Sequence, residues 1–490
     1  MFDYLEPKMS MKRPCSSNEE SMILEKMNKR RKCENQSNEE SEDRLSDLPD
    51  GIILHILSFL NTKHVVRTCV LSKRWRHLWK RIPTLMLYAS RFSTVKQFAM
   101  FVSNILTLRD TSTALHALDL DRHGNIEPQL LKKILNYVSS HNTHLQDLGI
   151  SVNGDCGLIM SCVSSCRALT SLMLSIYPKD GICSNSGILF PKSLNLPTLT
   201  NLYLTNFNFC GGENGCAEPF LAFPKLTSLV IRSCRVRDAQ ILRISSETLV
   251  NFKMRNYSED FAKIELCAPS LCTFTFTGTP VQKICGSGLS SVKQVKIKAE
   301  MFSRWDEPPL ILFDWLLNLA NVKSLMVSST TLRILSLVPD LLEVKLPSLC
   351  NLKSMEIKLE TCSNQMALPN LVKEAMLKKA AAKSRKEAAK LRKAFKARLE
   401  PPPIPDGIVE FLRQNSQSAE VNITTNYPAC FNLKQVEESI KGAKVINYHS
   451  QFAVPASSAA PVHAAESASA TVPASSTPPS LHLCCAEKED

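Results

Sequence analysis

The pattern of apolar and polar residues first becomes regular in residues 43–87, where it has the spacing of α-helices. Near its start, aliphatic side chains recur every three or four positions: Ile52, Ile53, Ile56, Leu57 and Leu60. That spacing predicts an amphipathic helix. We expect the helix to begin at Leu48-Pro49-Asp50, because proline is tolerated at the first helical position and an acidic residue suits the amino end of a helix.

Two further helices are predicted in the same segment. Asn61 or Thr62 can cap the first of them, and Ser72 can cap the second. Their apolar residues are Val65, Val66, Cys69 and Val70 in the one, and Trp75, Leu78 and Trp79 in the other. Three apolar faces on about forty-five residues are more than so short a segment can bury by itself. It therefore needs a partner, either the rest of the chain or another protein.

After this segment the chain repeats a unit with three apolar positions, spaced L-x-x-L-x-L, followed by a polar or Gly/Pro-bearing linker. The units begin at Leu115, Leu145, Leu169, Leu199, Leu226, Leu249, Leu271, Val292, Val322 and Leu352. Their starts lie 21 to 30 residues apart, the range of leucine-rich repeats. Because side chains alternate along a strand, the last two apolar residues should face a core and the residues between them an open, concave surface.

Three units share a second feature, a proline two residues before the first leucine. They begin Leu196-Pro-Thr-Leu199, Phe223-Pro-Lys-Leu226 and Ala268-Pro-Ser-Leu271. This shared context favours a true repeat more than the apolar spacing does, since a chain with 44% apolar residues produces that spacing by chance. In a fourth case, Leu346-Pro-Ser-Leu349, the strand pattern is shifted to begin at Leu352. The pattern predicts an irregular solenoid.

Residues 371–400 are rich in Ala, Lys, Arg and Leu, which predicts a helix. Between Lys373 and Arg398 there are eleven Lys or Arg residues and two Glu residues, so this segment carries +9 of the net +13 and leaves +4 for the rest. One interpretation is a solvated helix. The other is contact with RNA, DNA or an acidic protein surface.

The proline-rich residues 401–405 should end that helix. In residues 401–450 a helix-then-strand pattern follows, which we expect to cap the end of the repeats. Residues 1–40 and 451–490 lack periodicity and are expected to be disordered. The first of these tails contains a short basic cluster of the kind that nuclear import factors recognise: Lys29, Arg30, Arg31 and Lys32. We therefore expect the protein in the nucleus, the cytoplasm or both.

No motif in the chain indicates catalysis, a cofactor or a metal. There is no phosphate-binding loop, no G-x-S-x-G and no H-E-x-x-H. The eighteen cysteines are irregularly spaced, and neither Cys162 with Cys166 nor Cys484 with Cys485 has a second ligand pair at zinc-site spacing. No apolar run is long enough for a membrane span, and no secretion signal is visible. We expect a soluble, intracellular, non-enzymatic protein.

Specific sequence motifs in residues 43–87 indicate a family. Leu48-Pro49-Asp50, the block from Ile53 to Leu60, and the run from Val70 to Trp79 closely resemble the plant F-box, whose pattern is roughly LPDxxLxxILSxL and then VxxxxxLSKRWRxLW. An F-box followed by irregular leucine-rich repeats, over about residues 43–360, is similar to plant F-box/LRR proteins. The resemblance implies an α/β solenoid: a short all-α F-box of three helices at 41–87, then a repeat horseshoe at 88–370, with disordered termini.

The resemblance further implies binding of the Skp adaptor and, through it, of the cullin and RING subunits of an SCF-type ubiquitin ligase. Nine residues fall on family positions at that interface or supporting it: Leu48, Pro49, Ile53, Ile56, Leu57, Val65, Val66, Leu71 and Trp75. The repeats would hold an unknown protein substrate, so the chain would be a non-catalytic receptor. The alternative is a repeat protein that acts outside any ligase and contacts nucleic acid through residues 373–398. For the ligase receptor we expect neither a nucleic-acid partner nor a membrane partner.

The strand register suggests where a substrate would bind. If the later strands align, their open face carries six cations: Arg232, Lys253, Arg255, Lys296, Lys298 and Lys358. The early strands carry Asp119, Asp121 and Asp147 instead. A basic later face would favour an acidic or phosphorylated target. The alternative is that these are ordinary solvated strand residues.

Overall fold

The computed structural model describes residues 48–177, 187–212, 214–301, 307–361, 368–397 and 400–446. The basic cluster Lys29, Arg30, Arg31 and Lys32, both terminal segments and Arg398 lie outside these residues. The helices are α1 Asp50–Ser58, α2 Thr62–Arg67, α3 Val95–Leu108, α4 Pro128–Ser140, α5 Cys156–Ser165, α6 Glu307–Asn318, α7 Ser329–Leu335, α8 Leu368–Lys383, α9 Arg385–Lys396, α10 Ile408–Leu412 and α11 Leu433–Ser439.

Twenty strands are found in the described residues. They are β1 Thr84–Tyr88, β2 Ala117–Asn125, β3 Asp147–Asn153, β4 Ser171–Tyr177, β5 Ile188–Leu189, β6 Asn201–Thr205, β7 Phe207–Cys210, β8 Cys216–Ala217, β9 Ser228–Arg232, β10 Arg235–Arg237, β11 Ile241–Ser245, β12 Asn251–Asn256, β13 Lys263–Cys267, β14 Thr273–Gly278, β15 Lys283–Cys285, β16 Gln294–Ala299, β17 Ser324–Ser328, β18 Ser354–Leu359, β19 Glu420–Thr425 and β20 Ala443–Val445.

The chain begins with an amino-terminal helical segment, residues 48–83, that differs from the expectation in one element. Helix α1 starts one residue later than predicted, with Pro49 as its N-cap, and Asn61 caps α2 by accepting a hydrogen bond from the His64 amide at 3.1 Å. The predicted third α-helix is wrong in type. After Ser72 the chain forms turns and then a 3-10 helix, Leu78–Arg81. Of residues 72–77 only Trp75 is buried, so packing fixes turns rather than a continuous helix.

Thirteen of the described strands form one parallel sheet, in the order β1-β2-β3-β4-β6-β9-β12-β14-β16-β17-β18-β19-β20. All ten predicted units begin two residues before a strand of this sheet, which confirms the leucine-rich-repeat interpretation. The second and third apolar residues of each unit are buried, as Leu229 and Ile231 illustrate in β9. The alternate side chains lie on the other side of the sheet, called the open face below.

The sheet extends beyond the repeats expected at 88–370. At the front, β1 begins within residues 41–87, which were expected to be all-helical, and its Leu85 and Leu87 are buried in the same core as the repeats. At the back, α10 and β19 form the predicted helix-then-strand pattern, and β19 pairs with β18 on one side and β20 on the other. The segment at 401–450 therefore adds strands to the sheet.

The layer behind the apolar side of the sheet changes along the chain. Helices α3, α4 and α5 back the early strands, and α6 and α7 back later ones. Between them the backing consists of two short parallel sheets, β5-β7-β10 and β8-β11-β13-β15. Edge-to-face phenylalanines fill this middle part, with Phe209 and Phe220 at a ring separation of 5.3 Å. Among the described residues, no helix combines the length and apolar character needed to cross a membrane.

The recurring proline is explained by a turn. In the three regular units the carbonyl before the proline accepts a hydrogen bond from the amide of the first leucine, 3.1 Å from Leu226 N to Phe223 O in one case. Proline at the second position of such a turn has a suitable fixed φ. In the irregular unit the turn instead joins Leu349 to Leu352, with Leu349 at a φ of 57°. That turn accounts for the shifted strand.

The basic segment is not one helix, as the sequence predicted, but two. Helix α8 ends at Lys383, and Ser384 is extended and caps α9 by accepting a hydrogen bond from the Lys386 amide at 3.1 Å. A serine that bonds its own downstream backbone favours a helix start over continuation. The two helices pack on each other, with Lys373 bonded to Glu400 at 3.0 Å. Residues 368–397 are called the basic hairpin below.

Candidate functional site

The helical segment is held to the sheet by four of the nine residues predicted to meet an adaptor. Ile53, Leu57, Val65 and Trp75 are at most 7% exposed. Hydrogen bonds fix the same contact, since the Thr84 hydroxyl donates to the Ser58 carbonyl at 3.0 Å. These four side chains face their own chain, in the same core as the start of β1, so they belong to the supporting part of the predicted set. They can support a docking surface but are not available to a partner.

The other five predicted residues are at or near the surface. Pro49, Ile56 and Leu71 are exposed, while Leu48 and Val66 are half-buried against the core. The nine predicted residues therefore form two groups, four that are buried against the chain's own core and five that lie at or near the surface.

Four further apolar residues on the surface were not among the nine residues predicted from the sequence. Together with Ile56 and Leu71 they are 39 to 82% exposed, and the six form what we call the outer apolar surface: Ile52, Ile56, Phe59, Leu60, Val70 and Leu71. The helical spacing contained a signal for part of this set. Helix α1 carries two apolar stripes, one through Ile53 and Leu57 and one through Ile52 and Ile56, and a helix backed on one side buries only one of them.

An ionic clip ties the two ends of the helical segment together. Arg74, in the turn after Leu71, bonds the Asp50 carboxylate at 2.8 Å and also donates to the Leu48 carbonyl. Arg81 lies 3.7 Å from the same carboxylate. Asp50 is in the first turn of α1, where a negative charge is favourable. The clip thus holds the chain around Trp75 close to the start of α1.

The second candidate surface is the open face of the later strands, where the predicted alignment of cations is found. Arg232 pairs in register with Arg255, and Lys253 pairs with Thr275, which pairs with Lys296. Among the described residues, no acidic side chain forms an ion pair with these cations. Arg232, Lys253, Arg255 and Lys296 are called the open-face cations below.

The last two predicted cations differ from these four. Lys298 donates to Glu360 at 2.9 Å and lies 3.8 Å from Glu300. Burial alone would lower the pKa of Lys298, but the bond to Glu360 and the nearby carboxylates raise it overall. Its charge is thus already compensated. Lys358 pairs in register with Ser328, two strands beyond Lys298, and so lies apart from the others.

The early end of the same face is acidic. The Tyr88 hydroxyl donates to the Asp119 carboxylate at 2.7 Å, and Asp121 follows two residues on. Burial, with a smaller contribution from the charge of Asp121, raises the pKa of Asp119 even though the Tyr88 bond opposes this shift. Burial and the bond to Asp119 raise the pKa of Tyr88 to about 12. Asp147, the third predicted acid, is exposed at the start of β3.

The cysteine pair considered for metal binding lies at the carboxyl end of α5, with Cys162 in its last turn and Cys166 directly after it. Cys162 and Cys166 are both buried, and the Cys166 thiol donates to the Cys162 carbonyl at 3.3 Å. Contact with the Cys162 thiol, together with burial, raises the pKa of Cys166 and disfavours its thiolate. In the part of the chain that the structure describes, no group of three or more His, Cys, Asp or Glu residues could hold a metal ion.

Comparison with known proteins gives a family model that matches the helical segment and relatives that match about two thirds of the chain. The family model of the F-box domain matches residues 45–85. An F-box/LRR-repeat protein of Arabidopsis thaliana is 27% identical over 360 residues, which cover 68% of this chain and 90% of the relative. An F-box/FBD/LRR-repeat protein of the same plant is 26% identical over 345 residues, covering 66% of this chain and 75% of the relative.

Similarity to a solved structure is remote. The crystal structure of a TLR13–ssRNA13 complex matches 72% of this chain with 11% identity and a TM-score of 0.25, and this chain spans 55% of that one. The fold described above rests on the strand register.

Proposed function

We propose that this chain, which carries an F-box and is similar to plant F-box/LRR-repeat proteins, is the substrate-recognition subunit of an SCF-type ubiquitin ligase. In this role the helical segment binds a Skp adaptor, which connects it to cullin and RING subunits. The sheet binds the protein to be modified. The chain itself performs no covalent chemistry.

The outer apolar surface carries this proposal. Six large apolar side chains are exposed within residues 52–71, whereas elsewhere in the described chain exposed large apolar residues occur singly or in pairs such as Val95 and Met100. Single exposed apolar residues are ordinary, but a concentration of them marks a protein-binding site. A partner that covers them removes apolar area from water, and each well-packed anchor can contribute about 2 kcal/mol to binding.

The adaptor surface and the target surface belong to different parts of one chain, which supports a mechanism based on proximity. The outer apolar surface belongs to α1, α2 and the turn after them, and the open-face cations belong to β9, β12 and β16. A receptor that holds a target and a ligase together raises the effective concentration of target lysines near the ubiquitin-carrying enzyme. The cluster Lys29, Arg30, Arg31 and Lys32 supports action in the nucleus as well as in the cytoplasm.

The test uses the full chain with a purified plant Skp adaptor, a cullin and a RING subunit. We expect all four proteins to elute together in size-exclusion chromatography, and the chain with Ile52→Ser and Ile56→Ser to elute alone. Elution of the unaltered chain apart from the adaptor would refute the proposal.

A second function is favoured by one observation, the surface of the basic hairpin. Nine of its cations are exposed: Lys378, Lys379, Lys383, Arg385, Lys386, Lys390, Arg392, Lys393 and Lys396. Such a surface would bind nucleic acid mainly through phosphates, so binding would weaken steeply with salt. Salt-sensitive retention of the full chain on RNA or DNA, without adaptor binding, would favour a nucleic-acid-binding repeat protein over a ligase receptor.

A further inference from the structure

We propose that the open-face cations Arg232, Lys253, Arg255 and Lys296 recognise a phosphorylated segment of the target protein. This inference rests on the proposed function, because it names the class of target that the receptor binds. It adds the chemistry of recognition and the strands that provide it.

The first observation is a one-sided charge distribution. On the open face of β6, β9, β12, β14, β16 and β17 the described side chains include five cations and no carboxylate. Lys298 is compensated by Glu360 and Glu300, both of which follow strand ends. The other four have no acidic partner among the described residues. Uncompensated like charges on adjacent strands are unfavourable, so a bound anion would stabilise this arrangement.

The second observation is the orientation of the two arginines. Arg232 and Arg255 lie on adjacent paired strands, about 4.8 Å apart in the sheet. The Arg232 guanidinium lies 5.1 Å from the centre of the Tyr203 ring, and that of Arg255 lies 5.4 Å from the Tyr257 ring. Stacking on an aromatic ring restrains a guanidinium while its N–H groups remain able to donate at the edge.

A turn beyond β12 places the second of these rings. The buried Asn256 side chain donates to the Ser258 carbonyl at 2.8 Å and accepts from the Ser258 amide at 3.3 Å. This Asx turn fixes the backbone on both sides of Tyr257. Arg255 also donates to the Tyr257 hydroxyl at 3.3 Å. The position of Arg255 is thus restrained by local structure before any target binds.

The third observation is the strand between the cations. Strand β14 presents Thr275 and Thr277 on the open face, directly between Lys253 or Arg255 on one side and Lys296 or Lys298 on the other. Hydroxyl donors next to guanidinium and ammonium groups suit a phosphate, which has three acceptor oxygens and about −1.5 to −2 charge at neutral pH. A carboxylate has two oxygens and a single charge.

The width of the site favours a peptide. From β9 to β16 there are three strand steps, or about 14 Å, so an extended segment with more than one anionic side chain can contact all four cations. Single-stranded nucleic acid would need aromatic rings free to stack with bases. The two rings beside these cations, Tyr203 and Tyr257, are already engaged by arginines.

The experiment measures binding of a fluorescent Gly/Ser peptide with several spaced phosphoserines to the full chain in complex with its Skp adaptor. The test variant combines Lys253→Glu, Arg255→Glu and Lys296→Glu, all at exposed positions. The control combines Lys379→Glu, Lys390→Glu and Lys393→Glu in the basic hairpin, which changes the net charge equally. We expect the test variant to weaken phosphopeptide binding by roughly tenfold or more and the control by much less.

Several outcomes would overturn the inference. The first is that the unphosphorylated peptide, or one with glutamate in place of phosphoserine, binds as tightly as the phosphopeptide. The second is that the hairpin variant weakens binding as much as the test variant does. The third is that a short RNA displaces the peptide completely. Adaptor binding is measured on the same samples. If the test variant still binds adaptor, it is folded and its peptide result stands; if the unaltered chain does not bind adaptor, the proposed function fails instead.

Discussion

The helical segment and the sheet use the same aliphatic residues in opposite ways. In the sheet, the two inward apolar residues of each predicted repeat are buried, and the open face carries mainly polar side chains. In the helical segment, Ile53 is fully buried while its neighbour Ile52 is 48% exposed, and the same contrast separates Leu57 from Ile56. The sheet completes its own core by stacking neighbouring strands, and the helical segment does not.

This difference separates two kinds of surface. An apolar surface that the fold leaves open is unfavourable in water until a partner covers it, so it suits a constant partner such as an adaptor. A polar face with few apolar groups remains well solvated when empty, and its charges select among targets. The two surfaces should therefore respond differently to substitution.

The largest expected effect comes from the outward stripe of α1. Replacing Ile52 and Ile56 with serine should weaken adaptor binding by roughly a thousandfold, since two anchors worth about 2 kcal/mol each are lost. The free energy of unfolding of the free chain should hardly change, because both side chains already contact water. Titration calorimetry with the adaptor and urea unfolding measure the two quantities.

The matched inward variant should show the reverse pattern. Ile53→Ala removes buried methyl groups and should lower the stability of the helical segment by about 2–5 kcal/mol. Hydrogen exchange of the α1 amides measures this loss directly. If Ile53→Ala left exchange unchanged while Ile52→Ser accelerated it, the assignment of the two stripes would be reversed.

A smaller effect is expected from the clip that closes the helical segment. Arg74→Ala removes the bonds to Asp50 and to the Leu48 carbonyl, and a partly exposed ion pair contributes about 0.2–1 kcal/mol. Thermal unfolding should show this modest loss, and added salt should reduce the difference from the unaltered chain. Arg76→Ala, an exposed cation two residues away, is the control.

The smallest expected effect is the change in unfolding free energy when Asp119, on the open face of the sheet, is replaced. Its informative feature is whether this change grows or shrinks with pH. Asp119 has a raised pKa in the folded chain, so its contribution to stability is greatest below the ordinary value of 3.8 and is lost as pH rises through the folded pKa. Asp119→Asn should therefore be more stable than the unaltered chain at neutral pH, and this advantage should shrink toward pH 4. Urea unfolding at several pH values measures it; an advantage that grew on acidification would contradict the assignment.

Sequence reasoning predicted the parts of the fold that periodicity determines. The ten repeat units from Leu115 to Leu352, each of which begins two residues before a strand, followed from apolar spacing. The observed cap, Asn61, was one of the two residues predicted for that role. Periodicity could not decide which stripe of α1 faces inward, because Ile52 and Ile53 are chemically identical and the choice depends on docking against β1.

Other features depended on local competition that a pattern does not show. Ser384 starts a new helix inside a segment whose composition favours continuity. The shift of the repeat at Leu352 was visible in the sequence, but the left-handed conformation of Leu349 behind it was not. The alignment of Arg232 with Arg255 followed from the repeat register. The ion pair between Lys298 and Glu360 could not be predicted in this way, because the two residues are far apart in sequence.

In the proposed function, the outer apolar surface is the binding site for the adaptor. Its most direct test is calorimetric titration of the full chain with a purified plant Skp adaptor at several temperatures. We expect a one-to-one complex with a negative heat-capacity change, the signature of apolar burial, and loss of both in the chain with Ile52→Ser and Ile56→Ser. No binding by the unaltered chain, or binding with the same affinity and heat-capacity change in the variant, would contradict it.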